Sequence, residues 1–187
     1  MAQNQFLKGS EWRRWDLHVH TLGTNKNNQF KSKDFNEFCN IMFKKAIENR
    51  IAAIGITDYF SIENYLKVKE FVNDIIHNQF FDETEKDYVK SILLLPNVEL
   101  RMMPTTGKQK LINIHCIFNP LYADKLDNHF FSSIEYCNNA GTKFKMNREG
   151  ITELGISIDD TLNINAAYQR GIHSFIVQRD QLRKLFE

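Results

Sequence analysis

Residues 51–57, Ile-Ala-Ala-Ile-Gly-Ile-Thr, form a nearly unbroken apolar run. A strand of this kind is stable only when both of its faces are covered, the condition inside a parallel sheet flanked by helices. A second run, Ser-Ile-Leu-Leu-Leu-Pro at 91–96, makes the same demand and leads through a Pro96-Asn97 break into Val98-Glu99-Leu100-Arg101-Met102. The segments around these runs carry a helical period. Phe35, Phe38, Met42, Ala46 and Ile47 recur at helical spacing, between a cap at Ser32 or Asp34 and an end near Arg50. Ser61, with Glu63 behind it, caps a second helical pattern that reaches about Ile76. Strands alternating with helices predict an α/β architecture.

The remaining elements are read from alternation and turn residues. Trp15 to His20 alternates strictly and predicts a short strand, with Asp16, His18 and His20 on one face and Leu17 and Val19 on the other. Leu111 to Phe118 is a second alternating strand, stopped by Asn119-Pro120 and preceded by a turn over Thr105 to Lys110. Residues 1–14 are expected to cross the surface, with Trp12 and Trp15 anchoring the entry to the core, and residues 24–32 to form a loop. Asp82 to Lys90 reads as polar surface, and residues 121–140 and 147–170 as mainly helical. Ser174 to Val177 reads as one more strand and Arg179 to Glu187 as a helix. No Pro/Gly/Ser linker divides the chain, so residues 1–187 are expected to make one domain.

Composition narrows the function classes. With 42% hydrophobic and 25% charged residues the chain is globular rather than disordered. A formal net charge of +1 excludes a broad basic footprint for nucleic acid but not a local patch. Three cysteines, Cys39, Cys116 and Cys137, are an odd number without paired spacing and indicate ordinary thiols in a reducing compartment. Neither a signal-peptide stretch nor a membrane-spanning apolar run occurs, so no membrane association and a cytoplasmic location are expected. Gly107-Lys108 lacks the leading glycine and the following Ser or Thr of a P-loop, so ATP dependence would have to come from another part or partner.

The chemistry lies at the strand ends. Asp16-Leu17-His18-Val19-His20-Thr21 places two imidazoles two residues apart on a strand, able to face one ion, with Asp16 able to orient a ring. Asp58 stands just past the apolar strand, Glu99 beyond the second run, and His115 interrupts the alternating strand. Each has a plain alternative: Asp58 as a helix cap, Glu99 as a hydrogen-bonded sheet residue, His115 as a core histidine. Their arrival at successive strand ends instead fits a metal site, and imidazole with carboxylate suits Zn, Mn or Fe. Arg101 shares a strand face with Glu99, equally suited to a phosphate oxygen and to a salt bridge. Lys108 and Lys110 offer a basic turn, and Tyr59 and Phe60 aromatic rings, that either meet a polynucleotide or serve as ordinary surface and core.

Asp-Leu-His-Val-His-Thr, Ile-Gly-Ile-Thr-Asp-Tyr, Leu-Pro-Asn-Val-Glu-Leu-Arg and Ile-Asn-Ile-His-Cys-Ile-Phe-Asn-Pro resemble, in order and spacing, the first three motifs of the polymerase and histidinol phosphatase (PHP) superfamily. The opening is closest to bacterial members joined to an AAA or SMC-like ATPase, and the motif-bearing part spans residues 11–120. The resemblance implies a distorted TIM-like barrel of seven β/α units with two or three divalent metal ions at one end of its strands. It implies His18, His20, Glu99 and His115 as ligands, with Asp58 as a ligand or water-positioning group. It departs at Tyr59, where many members carry a ligand histidine. The late Asp-x-His pair is also missing, and only His129, Cys137 and His173 remain as soft or nitrogen ligands beyond Asn119. A barrel incomplete at its carboxyl end is therefore expected, with the exposed edge open to pairing with another copy.

The activity implied is metal-dependent hydrolysis of phosphate esters, with nucleic acid preferred over a small phosphate ester and an ATPase domain or partner alongside. Two alternatives stand: a small-molecule phosphomonoesterase, and a catalytically degenerate structural or regulatory module of an ATPase-linked protein.

Overall fold

The computed structural model describes residues 12–26, 28, 30, 33–103, 107, 108 and 110–187. Ser32, Thr105 and residues 1–11, named above, lie outside them. The chain is mixed α/β, and its sheet is curled into a half-barrel.

Strand β1 (Arg14–His20) pairs in parallel with β2 (Ile51–Tyr59), which pairs in parallel with β3 (Leu93–Met103). Strand β4 (Ile112–Ile117) returns antiparallel along the other edge of β3. The Pro96-Asn97 break is absent: β3 runs straight through both residues, because Pro96 still accepts a hydrogen bond from Phe118 N at 2.9 Å.

Helix α1 (Phe35–Glu48) starts at Asp34, whose carboxylate accepts from Asn36 N and Glu37 N at 2.8 and 3.2 Å. Its buried side chains Phe38, Cys39, Phe43 and Ala46 face the sheet. Helix α2 (Glu63–Asn73) follows β2 and continues as a single 3-10 turn, Ile75–His77. Ile62, not Ser61, is its N-cap, although the Ser61 hydroxyl accepts from Glu63 N.

Asp82 to Lys90 corrects the surface reading. It is helix α3 (Glu83–Ser91), opened by a capping box between Asp82 and Glu85. Val89 is fully buried there, and Lys86 lays its stem on the protein while its ammonium reaches Ile76 O and Glu83. With Val89 its only buried apolar side chain and Tyr88 half-buried beside it, the segment shows no apolar stripe to reveal the helix.

The carboxyl third departs further from the sequence reading. Residues 121–140 hold one short α-helix, α4 (Leu126–His129), between 3-10 turns, and then β5 (Glu135–Cys137), which pairs with β6 (Lys143–Lys145) in a separate hairpin. Residues 147–170 are two helices, α5 (Arg148–Ile158) and α6 (Ile164–Ser174). The chain breaks between them because Asp159 accepts from both Thr161 N and its hydroxyl. Helix α6 absorbs Ser174, so the last strand is only β7 (Val177–Gln178), ahead of α7 (Arg179–Phe186). Met102 pairs with Ile112 on one side and Val177 on the other, so β7 takes up the edge of β3 that β2 leaves at Tyr59.

One continuous core joins these parts, from Phe43, Tyr65 and Val68 near the amino-terminal helices to Ile151, Ile172 and Phe175 near α5 and α6. Each such side chain stabilises the fold by roughly 1.5–3 kcal/mol relative to exposure. Trp12 and Trp15 take no part, at 102% and 62% exposure, which corrects their reading as anchors. Among the described residues strand β1 is paired on one edge only; its Trp15 is exposed, and Trp12 precedes the strand. Among the described residues no helix is long and apolar enough to cross a membrane.

Candidate metal centre

Register brings the site together. On β3, Glu99 is paired with Tyr59 of β2 on one side and with His115 of β4 on the other. His20 of β1 lies beside Thr57 of β2. Between Asp16 and Val19 the β1 register slips, so that three steps on β1 match two on β2. Gly55 makes room for that bulge: a Cβ there would stand 2.3 Å from Leu17 O. The bulge breaks the strict alternation expected for Asp16, His18 and His20. Asp16 accepts from His18 N at 3.4 Å and orients neither ring.

The two histidines nonetheless converge. His18 Nε2 and His20 Nε2 are 3.0 Å apart, and Glu99 Oε2 lies 3.7 and 3.3 Å from them. His18, Glu99 and His115 offer ligand atoms all within 4.8 Å of one another, the group of three or more such residues found among the described residues. His20 adjoins it through His18 and Glu99.

Buried partners set the protonation of two rings. Thr24 gives its hydroxyl proton to Asp58 Oδ1 at 3.1 Å, so its oxygen must accept from His20 Nδ1–H at 3.2 Å. Asn97 spends both amide hydrogens on Leu17 O and Thr57 Oγ1, at 2.7 and 2.9 Å. Its Oδ1 therefore accepts from His115 Nδ1–H at 3.2 Å. In both neutral rings the lone pair is left on Nε2, on the side away from these partners, as in metal-binding histidines.

Glu99 is 2% exposed, and its two oxygens differ. Oε1 accepts from Tyr59 OH at 2.8 Å and from Asn113 Nδ2 at 2.7 Å. Oε2 is buried without a hydrogen-bond partner, because His20 Nε2, 3.3 Å away, carries the lone pair of the neutral ring. Several lone pairs and an unpartnered carboxylate oxygen thus meet at one point, and only a proton or a cation reconciles them. The 3.0–3.7 Å spacings are near the ~3.4 Å separating two ligands on one tetrahedral ion. The residues fit a divalent ion with nitrogen and oxygen ligands.

Electrostatics agree in direction. Contact with Glu99 raises the His20 pKa against the opposing effect of burial. Burial opposes ionisation of Glu99, but its contacts with His20 and Tyr59 and the charge of His115 outweigh it and hold the carboxyl low. Burial lowers His115, with His18 adding to it. The raised His20 pKa stabilises the metal-free protein below the ordinary value of 6.5, an effect lost as pH rises through the folded pKa. A bound ion needs the neutral ring, so the thermal shift on adding Zn2+ is expected to grow from about pH 6 to about pH 8. A shift that ignores pH would remove His20 from the ligand set.

The other expected site residues are placed apart from this cluster. Asp58, 2% exposed, accepts from Thr24, Asn25 N and Tyr59 N on Oδ1 and from Asn64 on Oδ2. Burial pushes its pKa up to about 6 even so. It orients Thr24, and through it His20. Arg101 turns its guanidinium to the end of α6, donating to Ile172 O at 2.5 Å and Phe175 O at 3.4 Å, where the helix presents free carbonyls. Tyr59 and Phe60 are buried, the latter with φ of 55° and its ring on Phe175 at 5.5 Å, so neither offers a face for a base. Lys26 lies over the Tyr59 ring at 5.6 Å, its pKa lowered by burial and by Arg101. His173 is an exposed residue of α6.

Thr24, Asn97 and Asn113 were not singled out by sequence reasoning. Asn97 carried a usable signal as an amide inside an apolar run, and Asn113 shares the parity of His115. Thr24 carried none.

No protein-family model matches the chain, and neither does any curated protein or solved structure.

Proposed function

We propose that this chain is a metal-dependent phosphoric ester hydrolase of PHP type. The observation that carries the reading is the buried, unpartnered Glu99 Oε2 facing imidazole nitrogens whose tautomers are held by Thr24 and Asn97. The four stretches quoted from the sequence, which resemble the first three motifs, supply the reaction class, and the half-barrel is compatible with part of a TIM-like barrel.

His18, His20, Glu99 and His115 would hold the metal. A divalent ion bound there lowers the pKa of a water and stabilises charge on phosphoryl oxygens. The protein's own part is orientation. Asp58 and Thr24 hold His20, Asn97 holds His115, and Tyr59 with Asn113 hold Glu99. His18, His115 and Asn113 are exposed, so the cluster is open to substrate along β4. Lys26 adds a positive charge near the cluster for an anionic substrate. Nucleic acid is the preferred substrate and an ATPase domain the preferred partner, both on the resemblance of the opening motif.

The experiment is turnover of bis-p-nitrophenyl phosphate, p-nitrophenyl phosphate and single-stranded DNA with added Mn2+ or Zn2+. Diester and DNA hydrolysis is expected, falling about 100-fold in His18→Ala. Monoester turnover alone would make the chain a small-molecule phosphatase. The engagement of Tyr59 as a hydrogen-bond donor favours a second reading, the degenerate module. Bound metal without turnover of any of the three would select it.

A further inference from the structure

The two oxygens of Glu99 carry an inference about how the site presents its carboxylate to metal. A carboxylate meets a metal ion through both oxygens, through one alone, or beside a second carboxylate. For Glu99 the first and the last are closed by hydrogen bonds. Glu99 Oε1 already accepts two donors, Tyr59 OH at 2.8 Å and Asn113 Nδ2 at 2.7 Å, which fill its lone-pair directions. Asp58, the nearest other buried carboxylate on the sheet, accepts from four donors spread over both of its oxygens. Freeing either leaves donors such as Tyr59 OH without their acceptor.

We infer that Tyr59 and Asn113 are positioning residues that present Glu99 to metal through Oε2 alone. This rests on the metal-centre reading above. Tyr59 suits the task because its ring is buried at 3% exposure and stacks on His20 at 5.8 Å with the planes 13° apart. Its hydroxyl donates to Glu99 Oε1 at 2.8 Å. Asn113, one β4 step of two from His115, closes the same oxygen from the solvent side. Position 59 thereby fixes the carboxylate instead of binding metal itself.

The test begins with a Co2+ titration of the 187-residue chain. Binding is expected, and no retention of Mn2+, Zn2+ or Co2+ would overturn the metal centre, and the inference with it.

The roles of Tyr59 and Asn113 have their own readout in the visible absorption of the Co2+-loaded protein. In Tyr59→Phe the freed Oε1 joins the ion, and the rise in coordination number weakens the Co2+ band several-fold while the ion stays bound. Asn113→Ala, at an exposed position that tolerates truncation, gives the same change and serves if Tyr59→Phe fails to fold. A band unchanged in Asn113→Ala would overturn the assignment.

Discussion

Glu99→Gln is expected to lower affinity for Zn2+ or Mn2+ at least about 100-fold and, in the metal-free protein, to raise the thermal midpoint. The two effects have one cause. In the wild-type chain Oε2 is buried, charged and without a hydrogen-bond partner, 3.3 Å from the nitrogen of His20. The glutamine keeps its carbonyl on the Tyr59 and Asn113 donors and turns its amide to the His20 lone pair. A repulsion becomes a hydrogen bond worth about 1 kcal/mol, or about 3 °C for a chain of this size. The comparison belongs at a pH above the raised His20 pKa, where that ring is neutral and no ion pair is lost. Isothermal titration and thermal melts with chelator check both halves. A lower midpoint would mean that the Glu99 charge supports the fold rather than a ligand, and unchanged affinity would remove Glu99 from the site.

Gly55→Ala is expected to cost about 3 kcal/mol, roughly 10 °C in thermal midpoint, and to abolish metal binding. The added Cβ would stand 2.3 Å from Leu17 O and 2.7 Å from Leu17 C. Both are backbone atoms in a paired strand, so no side-chain rotation relieves the contact and β1 must move off β2. That movement breaks the bond from Asn97 to Leu17 O, which frees the amide that holds His115, and it displaces His18 and His20 directly. Stability and metal affinity should therefore fall together. A contrast is available at Gly171, whose Cβ would stand 1.9 Å from Ile151 O where α5 and α6 cross. Gly171→Ala should destabilise to a similar degree while the folded fraction still binds metal. If Gly55→Ala keeps metal affinity, the bulge is not what aims the histidines.

Much of the sheet is legible in the residue pattern alone. The runs at 51–57 and 91–96 are apolar on both faces, and only a strand covered on both sides satisfies that; β2 and β3 are those strands. Helix α1 is legible because its apolar stripe and its Asp34 cap agree. Helix α3 is not, since a helix that buries chiefly Val89 has almost no stripe to read. The β5–β6 hairpin is not either, since three-residue strands are too short to show a period.

At the site, local chemistry determined which residues are able to ligate: His18, His20, Glu99 and His115 each interrupt a strand pattern with a metal-binding group. Tertiary structure decided what each group does. Strand pairing put Glu99 between Tyr59 and His115, and the bulge opposite Gly55 turned two histidines toward one oxygen. Asp58 and Arg101 look like site residues along the chain, but folding surrounds the first with donors and turns the second to the end of α6. A residue's type is local, whereas a partner that takes up its hydrogen bonds can be distant, as Asn113 is 14 positions from Glu99 and Leu17 is 80 from Asn97. Sequence therefore sets the inventory of ligands, and only the packed sheet decides which lone pairs are left free.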